Sequence, residues 1–164
     1  AASDVYKRQF IDSTKKYRYS LSRVWNKNLG KVVFIMLNPS TADAFEDDNT
    51  VKKCISFATH WNFGALEIVN LFAYRATDPK ALKEVFDPIG TENDNYILKA
   101  VENADKIVIG WGNECKFCSR DVAVLTFLKN YKLYCLDINK TGKPKHPLFA
   151  AINTVLKDYN DNTI

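Results

Sequence analysis

Residues 32–41 read VVFIMLNPST, and the fold is decided there. Six apolar residues run from Val32 to Leu37, and the chain then turns polar at Asn38-Pro39-Ser40-Thr41. A short continuous apolar run rich in β-branched residues suits a strand buried on both faces, as in a parallel sheet. Asn, Pro, Ser and Thr are turn and cap residues, so the strand ends near Leu37. Open α/β sheets bind ligands beyond the carboxyl ends of their strands. An Asn held at that point by a rigid Pro is placed for recognition or chemistry; the plainer account is an ordinary strand-to-loop turn.

Three further apolar runs follow: LEIVNLF at 66–72, KIVIG at 106–110 and KLYCL at 132–136. Helical spacing lies between them. One helix starts near Thr50, capped by Asp47 or Asp48, and runs to His60-Trp61. Others are expected over 91–103, 114–130 and 150–158, with a short helical patch at 80–86. YRYSLSRVW at 17–25 alternates Tyr17, Tyr19 and Leu21, which suits a short edge strand with a solvated arginine face, or a basic aromatic lip. Strands alternating with helices predict a three-layer α/β/α sandwich around a mostly parallel four-stranded sheet. Right-handed crossovers bring the loops after those four strands to one edge. Those loops carry Asn38, Asn70, Trp111 and His146.

The chain has 164 residues, enough for one domain whose core buries roughly 70% of the unfolded surface. DVYKRQ at 4–9 resembles the translated end of a sequencing adapter, so residues 1–9 are set aside as a scar. The domain is read as 10–159, with 160–164 a frayed tail. Without Lys7, Arg8 and Asp4 the chain carries 21 basic and 18 acidic residues, a net +3 that permits a nucleic-acid partner. No apolar run approaches the roughly 18 residues of a membrane span. A cytoplasmic monomer that needs no cofactor and does not bind membranes is the expectation.

Of four cysteines, only Cys115 and Cys118 have C-x-x-C spacing, and no second pair completes a zinc set. All four are read as reduced, Cys54 and Cys135 in the core, with convergence on a metal or iron–sulfur cluster as the alternative. Asp47 and Asp48 either cap a helix or hold a divalent cation. Asn70 ends an apolar strand. A buried amide must be hydrogen-bonded, so Asn70 either ties loops together or reads a ligand, and its donor and acceptor match a nucleobase edge. Arg75 is in reach of a phosphate. Lys143 and Lys145 flank a Gly- and Pro-shaped loop suited to phosphate approach, directly before His146.

MLNPS (36–40), IVNLFAYR (68–75), VIGWG (108–112) and HPLFA (146–150) resemble, in order, the four motifs of the uracil-DNA glycosylase superfamily. A wider resemblance, through RYSLSRVW, MLNPSTADAFEDDNT, NLFAYRATDP and GKPKHPLF, is to the bacterial and phage family called domain of unknown function 1643, which names a family without an activity. The first resemblance implies a glycosylase-like fold and hydrolysis of the N-glycosidic bond of an aberrant or modified base in DNA. It implies that Asn38 holds the attacking water and His146 stabilises the departing base. Asn70 reads the flipped base, with Pro39 and Trp111 beside it, and Phe45, Phe57 or Trp111 stacks on it. Ser40, Thr41, Arg75, Lys143, Lys145 and Leu148 contact the nucleic acid, Leu148 or Phe149 as a wedge. No metal is implied. Asn38 replaces the Asp of the strongest uracil excisers, Ser40 the tyrosine that blocks thymine, and Phe149 a second proline, so a base other than uracil, or a free nucleotide, fits as well. The alternatives are a non-catalytic nucleic-acid or nucleotide-binding module with the same fold, and a metal-dependent nucleotide-processing enzyme using Asp47 and Asp48.

Overall fold

The computed structural model describes residues 5–40 and 46–159, with the side chains of 116–118 left aside. The apolar run is strand β3 (Lys31–Met36). Its residues alternate between two cores, as a period of two requires. Val33 and Ile35 face one, Val32, Phe34 and Met36 the other. Helix α1 (Asn49–His60) closes the second core with Val51, Cys54, Phe57 and Ala58. Helices α2 (Asn93–Glu102) and α3 (Arg120–Phe127) close the first with Ile97, Ala100, Val101 and Val124. Both faces of β3 are therefore dry, and Val32 to Ile35 have no exposed surface. Burying such side chains contributes about 1.5–3 kcal/mol each.

Among the described residues the sheet has seven strands where four were expected. The others are β1 (Tyr6–Ile11), β2 (Arg18–Val24), β4 (Ala65–Asn70), β5 (Lys106–Ile109), β6 (Tyr134–Cys135) and β7 (Lys157–Asp158), in the order β1-β2-β4-β3-β5-β6-β7. The four expected strands form its centre and pair in parallel, β4 with β3, β3 with β5, and β5 with β6. The additions are antiparallel: β2 against β4, β1 against β2, and β7 against β6. The sheet is thus mixed. Residues 6–9, set aside in the sequence reading, lie in β1.

Three local expectations are corrected. β2 is not an edge strand, because β1 covers it and Arg18 and Arg23 are buried beneath, 6% and 0% exposed. The helix expected over 114–130 is a 3₁₀ turn (Asn113–Ser119) followed by α3. The break falls at Ser119, whose φ of +49° lies in the left-handed region. Next to it the buried Arg120 donates Nε to the Leu71 carbonyl (2.8 Å) and pairs with Asp94, so tertiary bonds set where α3 starts. The helix expected over 150–158 does not form. A 3₁₀ turn (Pro147–Phe149) leads instead into β7, which satisfies backbone groups on the open side of β6, and Tyr159 adds a hydrogen bond to Leu133 (2.9 Å). Ile152 and Val155, whose spacing suggested an inward helix face, are 40% and 80% exposed. The tail 160–164 lies outside the described residues.

Candidate functional site

The parallel centre of the sheet brings the carboxyl ends of β3, β4, β5 and β6 to one edge, and β2, running the other way, starts there. The loops at that edge enclose a cavity of about 480 Å³ lined by Asn38, Pro39, Ser40, Asn70, Trp111, His146 and Leu148, among others. Seven expected site residues therefore converge. Arg75, Lys143 and Lys145 do not line it, and Thr41 and Phe45 lie outside the described residues.

Asn38 donates its amide hydrogens to two carbonyls, Ala76 O (2.8 Å) and Pro39 O (3.1 Å). That leaves Oδ1, an acceptor, for a water or ligand. Ala76 N–H returns to Pro39 O (3.0 Å), so the loops after β3 and β4 are stitched together around this residue. Ser40 donates its hydroxyl to Asp48 Oδ2 (2.6 Å), and Asp48 Oδ1 caps α1 by accepting from Val51 N–H (2.8 Å). Capping of this kind contributes about 1 kcal/mol.

Asn70 is 4% exposed, lines the cavity, and its amide has no hydrogen-bond partner among the described residues. Its backbone is fixed from behind. Asn93 Nδ2 donates to the carbonyls of Asn70 (2.9 Å) and Leu71 (3.0 Å), and Arg120 holds the latter as well. The Asn70 amide faces the cavity, where a ligand presenting a donor and an acceptor can pair with it in place of water.

Trp111 follows β5 and is 1% exposed, a core residue as much as a wall of the cavity, with its Nε1–H unpartnered among the described residues. Two glycines let this turn lie against the segment bearing His146. A Cβ on Gly110 would stand 3.1 Å from Pro147 Cδ, and Gly112 adopts a φ of +75° while its N–H bonds the Pro144 carbonyl (2.9 Å).

His146 is the N-cap of the turn Pro147–Phe149. Its Nδ1 accepts from Leu148 N–H (3.2 Å). The neutral ring then carries its proton on Nε2, as a donor. Burial pushes its pKa below the usual 6.5, with the Asp48 carboxylate acting the other way. Between 6.5 and the lower folded value, the unfolded chain binds a proton that the folded chain does not, so stability falls as the pH drops through that window. Urea denaturation at a series of pH values should show wild type losing stability below about pH 6.5 more steeply than His146→Asn; parallel profiles would remove the shift.

The remaining residues have structural partners. Arg75 donates Nη1 to the Lys15 carbonyl (3.0 Å), and its backbone N–H bonds Lys16 O (2.8 Å). Lys143 pairs with the buried Asp121, which raises the lysine's pKa and pins the loop before His146. Lys145 N–H bonds Asp137 O (2.9 Å). Phe57 is fully buried in the core, stacked on Trp61 at 5.2 Å, so it cannot stack on a ligand as expected. Leu148 and Phe149 stand at the cavity rim, 40% and 75% exposed. Asp47 pairs with Arg23 and Asp48 caps α1, so helix and loop structure uses the two carboxylates that were weighed as cation ligands. Cys54, Cys115 and Cys135 are free and buried; burial pushes Cys115 up to about 12 and Cys135 up to about 11. Cys118 has its side chain outside the described set.

The sequence reading missed Ser20 and Thr50 on the cavity wall, and Asn93 and Arg120 behind Asn70; Arg18, also on the wall, it gave as part of an edge strand or a basic aromatic lip. Periodicity in that segment showed a strand but not the way it runs. The place of Arg18 and Ser20 follows from the antiparallel direction of β2.

A family model described as protein of unknown function, DUF1643, matches residues 18–148. No curated protein matches the chain. No solved structure matches it. Among the described residues no helix is long and apolar enough to cross a membrane.

Proposed function

We propose, for a chain that belongs to the DUF1643 family, that the cavity takes up a single nucleobase, flipped out of DNA, and that the site hydrolyses its N-glycosidic bond. The observation that carries this reading is Asn70, whose amide lines the cavity without a hydrogen bond among the described residues while its backbone is held by Asn93. A base edge offers the complementary donor and acceptor. The order of the four motifs, with their likeness to the uracil-DNA glycosylase superfamily, supports the same reading.

In this proposal the bond between sugar C1′ and the base nitrogen breaks with its electron pair leaving on the base. Positive charge develops on the sugar, and a water adds to C1′ and loses a proton. Asn38 Oδ1 accepts a hydrogen bond from that water and orients it. An amide is a poor base, so the roughly 10²–10⁴-fold available from general-base help is largely forgone. His146 Nε2–H donates to the oxygen on which the base's negative charge collects; a neutral donor fits its lowered pKa. Flipping costs a few kcal/mol, and the exposed apolar Leu148 and Phe149 at the rim fill the gap left in the stack.

A second reading is favoured by Asn38 itself, which has both amide hydrogens engaged and no basicity. With chemistry absent, the same pocket recognises a base without cleaving it. The test is incubation with single- and double-stranded oligonucleotides carrying uracil, hypoxanthine or phage-type modified bases, followed by alkali. Strand breaks that vanish in the Asn38→Ala, His146→Ala double variant are the expected result. Binding of a base-bearing oligonucleotide with no strand break for any base would leave recognition alone. Asn70→Ala is expected to weaken binding of the preferred base by about 1–3 kcal/mol, or roughly 5–150-fold, and an unchanged affinity would remove Asn70 as the reader.

A further inference from the structure

Asn70 stands beside a stretch of cavity wall made of hydrocarbon side chains. It ends β4, and the parallel ladder sets it opposite Met36 at the end of β3. Ile68 lies two residues earlier on β4 and so on the same face of the sheet. Across the antiparallel ladder Ile68 is opposite Leu21 of β2. α1 covers this face, and its first turn brings Val51 to the patch. Leu21, Met36, Val51 and Ile68 all belong to the second core, and all four line the cavity. The cavity is therefore more than a cleft at the sheet edge. It runs down beside Asn70, between the sheet and the start of α1.

Its depth can be read along the strands. These four residues keep between 2% and 7% of their surface exposed, whereas Phe34 and Leu66, two residues further from the edge on β3 and β4, have none. The space beside Ile68 is thus one side-chain layer below Asn70, a step of about 7 Å along the strand. A base whose edge pairs with the Asn70 amide leaves that layer beneath it. Leu, Ile and Val side chains offer no hydrogen bond, and the Met36 thioether is a weak acceptor. A polar group placed among them gives up hydration for nothing in return. A hydrocarbon group leaves water and gains dispersion contacts, and the flexible Met36 fits itself to irregular shapes.

We infer that Leu21, Met36, Val51 and Ile68 form an apolar subsite for a hydrocarbon substituent on the base that Asn70 reads, so that the preferred ligand is an alkylated base. This rests on the proposed base pocket and adds the class of base. The substituent sits either on a ring carbon of a pyrimidine or on the exocyclic nitrogen of a purine.

The experiment is a fluorescence-anisotropy titration of the full chain with labelled oligonucleotides, single-stranded and duplex, each bearing one test base. One series carries uracil, thymine, 5-ethyluracil and 5-propyluracil, with 5-hydroxymethyluracil as the polar counterpart of the ethyl base. The other carries adenine, N6-methyladenine and N6-ethyladenine. In one of the two series affinity should rise about 4-fold per added carbon until the layer is full, and the series that rises identifies the ring system. Hydroxymethyl should bind more weakly than ethyl. Ile68→Phe fills the layer and should flatten the rise, while Ile68→Ala should carry it to longer substituents. If Ile68→Phe does not fold, Val51→Leu is read in its place and should shorten the best substituent by about one carbon. Affinity that depends on Asn70 but stays flat or falls with substituent length in both series overturns the inference and leaves the base pocket standing. So does equal affinity for hydroxymethyl and ethyl. A rise that the filling variant leaves intact belongs to stacking within the strand and overturns it as well. A rise that Asn70→Ala leaves unchanged, with Ile68→Phe still flattening it, supports the subsite and removes the base reader. No binding of any of these strands overturns both.

Discussion

His146→Ala is expected to lower the rate of base release by about 10²–10³-fold, with a much smaller effect on oligonucleotide affinity. The proposed chemistry needs a donor aimed at charge that develops only as the glycosidic bond breaks. His146 meets that need through its surroundings. Leu148 N–H engages Nδ1, which leaves the proton on Nε2, and burial keeps the ring neutral. A neutral donor stabilises the developing anion without depending on prior protonation. The measurement is single-turnover cleavage of the oligonucleotide on which wild type is most active, beside equilibrium binding of the same strand. His146→Asn is the structural companion, because its short side chain can still cap Leu148 N–H. A large rate loss in both variants with intact melting curves locates the effect in the chemistry. Full activity in His146→Ala would remove the residue from the reaction and turn attention to Asn38 alone.

Arg23→Met is expected to destabilise the fold by about 3–5 kcal/mol, a drop on the order of 10 °C in Tm for a domain of this size. Arg23 is 0% exposed in β2 and donates Nε (3.0 Å) and Nη2 (2.9 Å) to Asp47 Oδ1, and Nη1 to the Ser22 carbonyl (2.8 Å). The Asp47 side chain is itself only 17% exposed, so removing the arginine strands a carboxylate in a poorly solvated place. The size of the loss measures that stranding more than the worth of the pair. The double variant Arg23→Met, Asp47→Leu should therefore recover much of it. Denaturant melts of the two single variants and the double variant close the cycle. Additive losses would show that the two residues act independently. The pair also adjoins Asp48, which caps α1 and accepts from Ser40 on the cavity wall. Some loosening of the ligand site is expected with the loss of stability.

Much of the central architecture was legible because burial on two faces leaves a compositional mark. VVFIML could be read as a strand without knowledge of its neighbours, as could LEIVNLF and KIVIG. α1 was visible in its acidic cap and apolar spacing. The pieces that escaped have weaker marks. β7 has two residues, too few for any periodicity. In the last segment Ile152, Val155 and Leu156 have helical spacing, yet the chain there forms an edge strand because β6 leaves backbone groups to pair.

The candidate site divides along the same line. Asn38, Asn70, Trp111 and His146 could be named from sequence, since the first three stand at the ends of apolar runs and His146 lies in the loop after the fourth, where an α/β sheet presents its loops. What the sequence determined by itself was which polar residues end strands, because strand ends are punctuated by residue type. Tertiary structure alone decided which polar groups remain available. It ties Lys143 to Asp121, Arg75 to backbone carbonyls and Asp48 to a helix cap, while the Asn70 amide lines the cavity without a hydrogen bond among the described residues. The physical reason is that hydrogen bonding and charge pairing are satisfied by neighbours in space, up to 93 residues apart here in Trp61 and Thr154, and spacing along the chain carries no record of those partners.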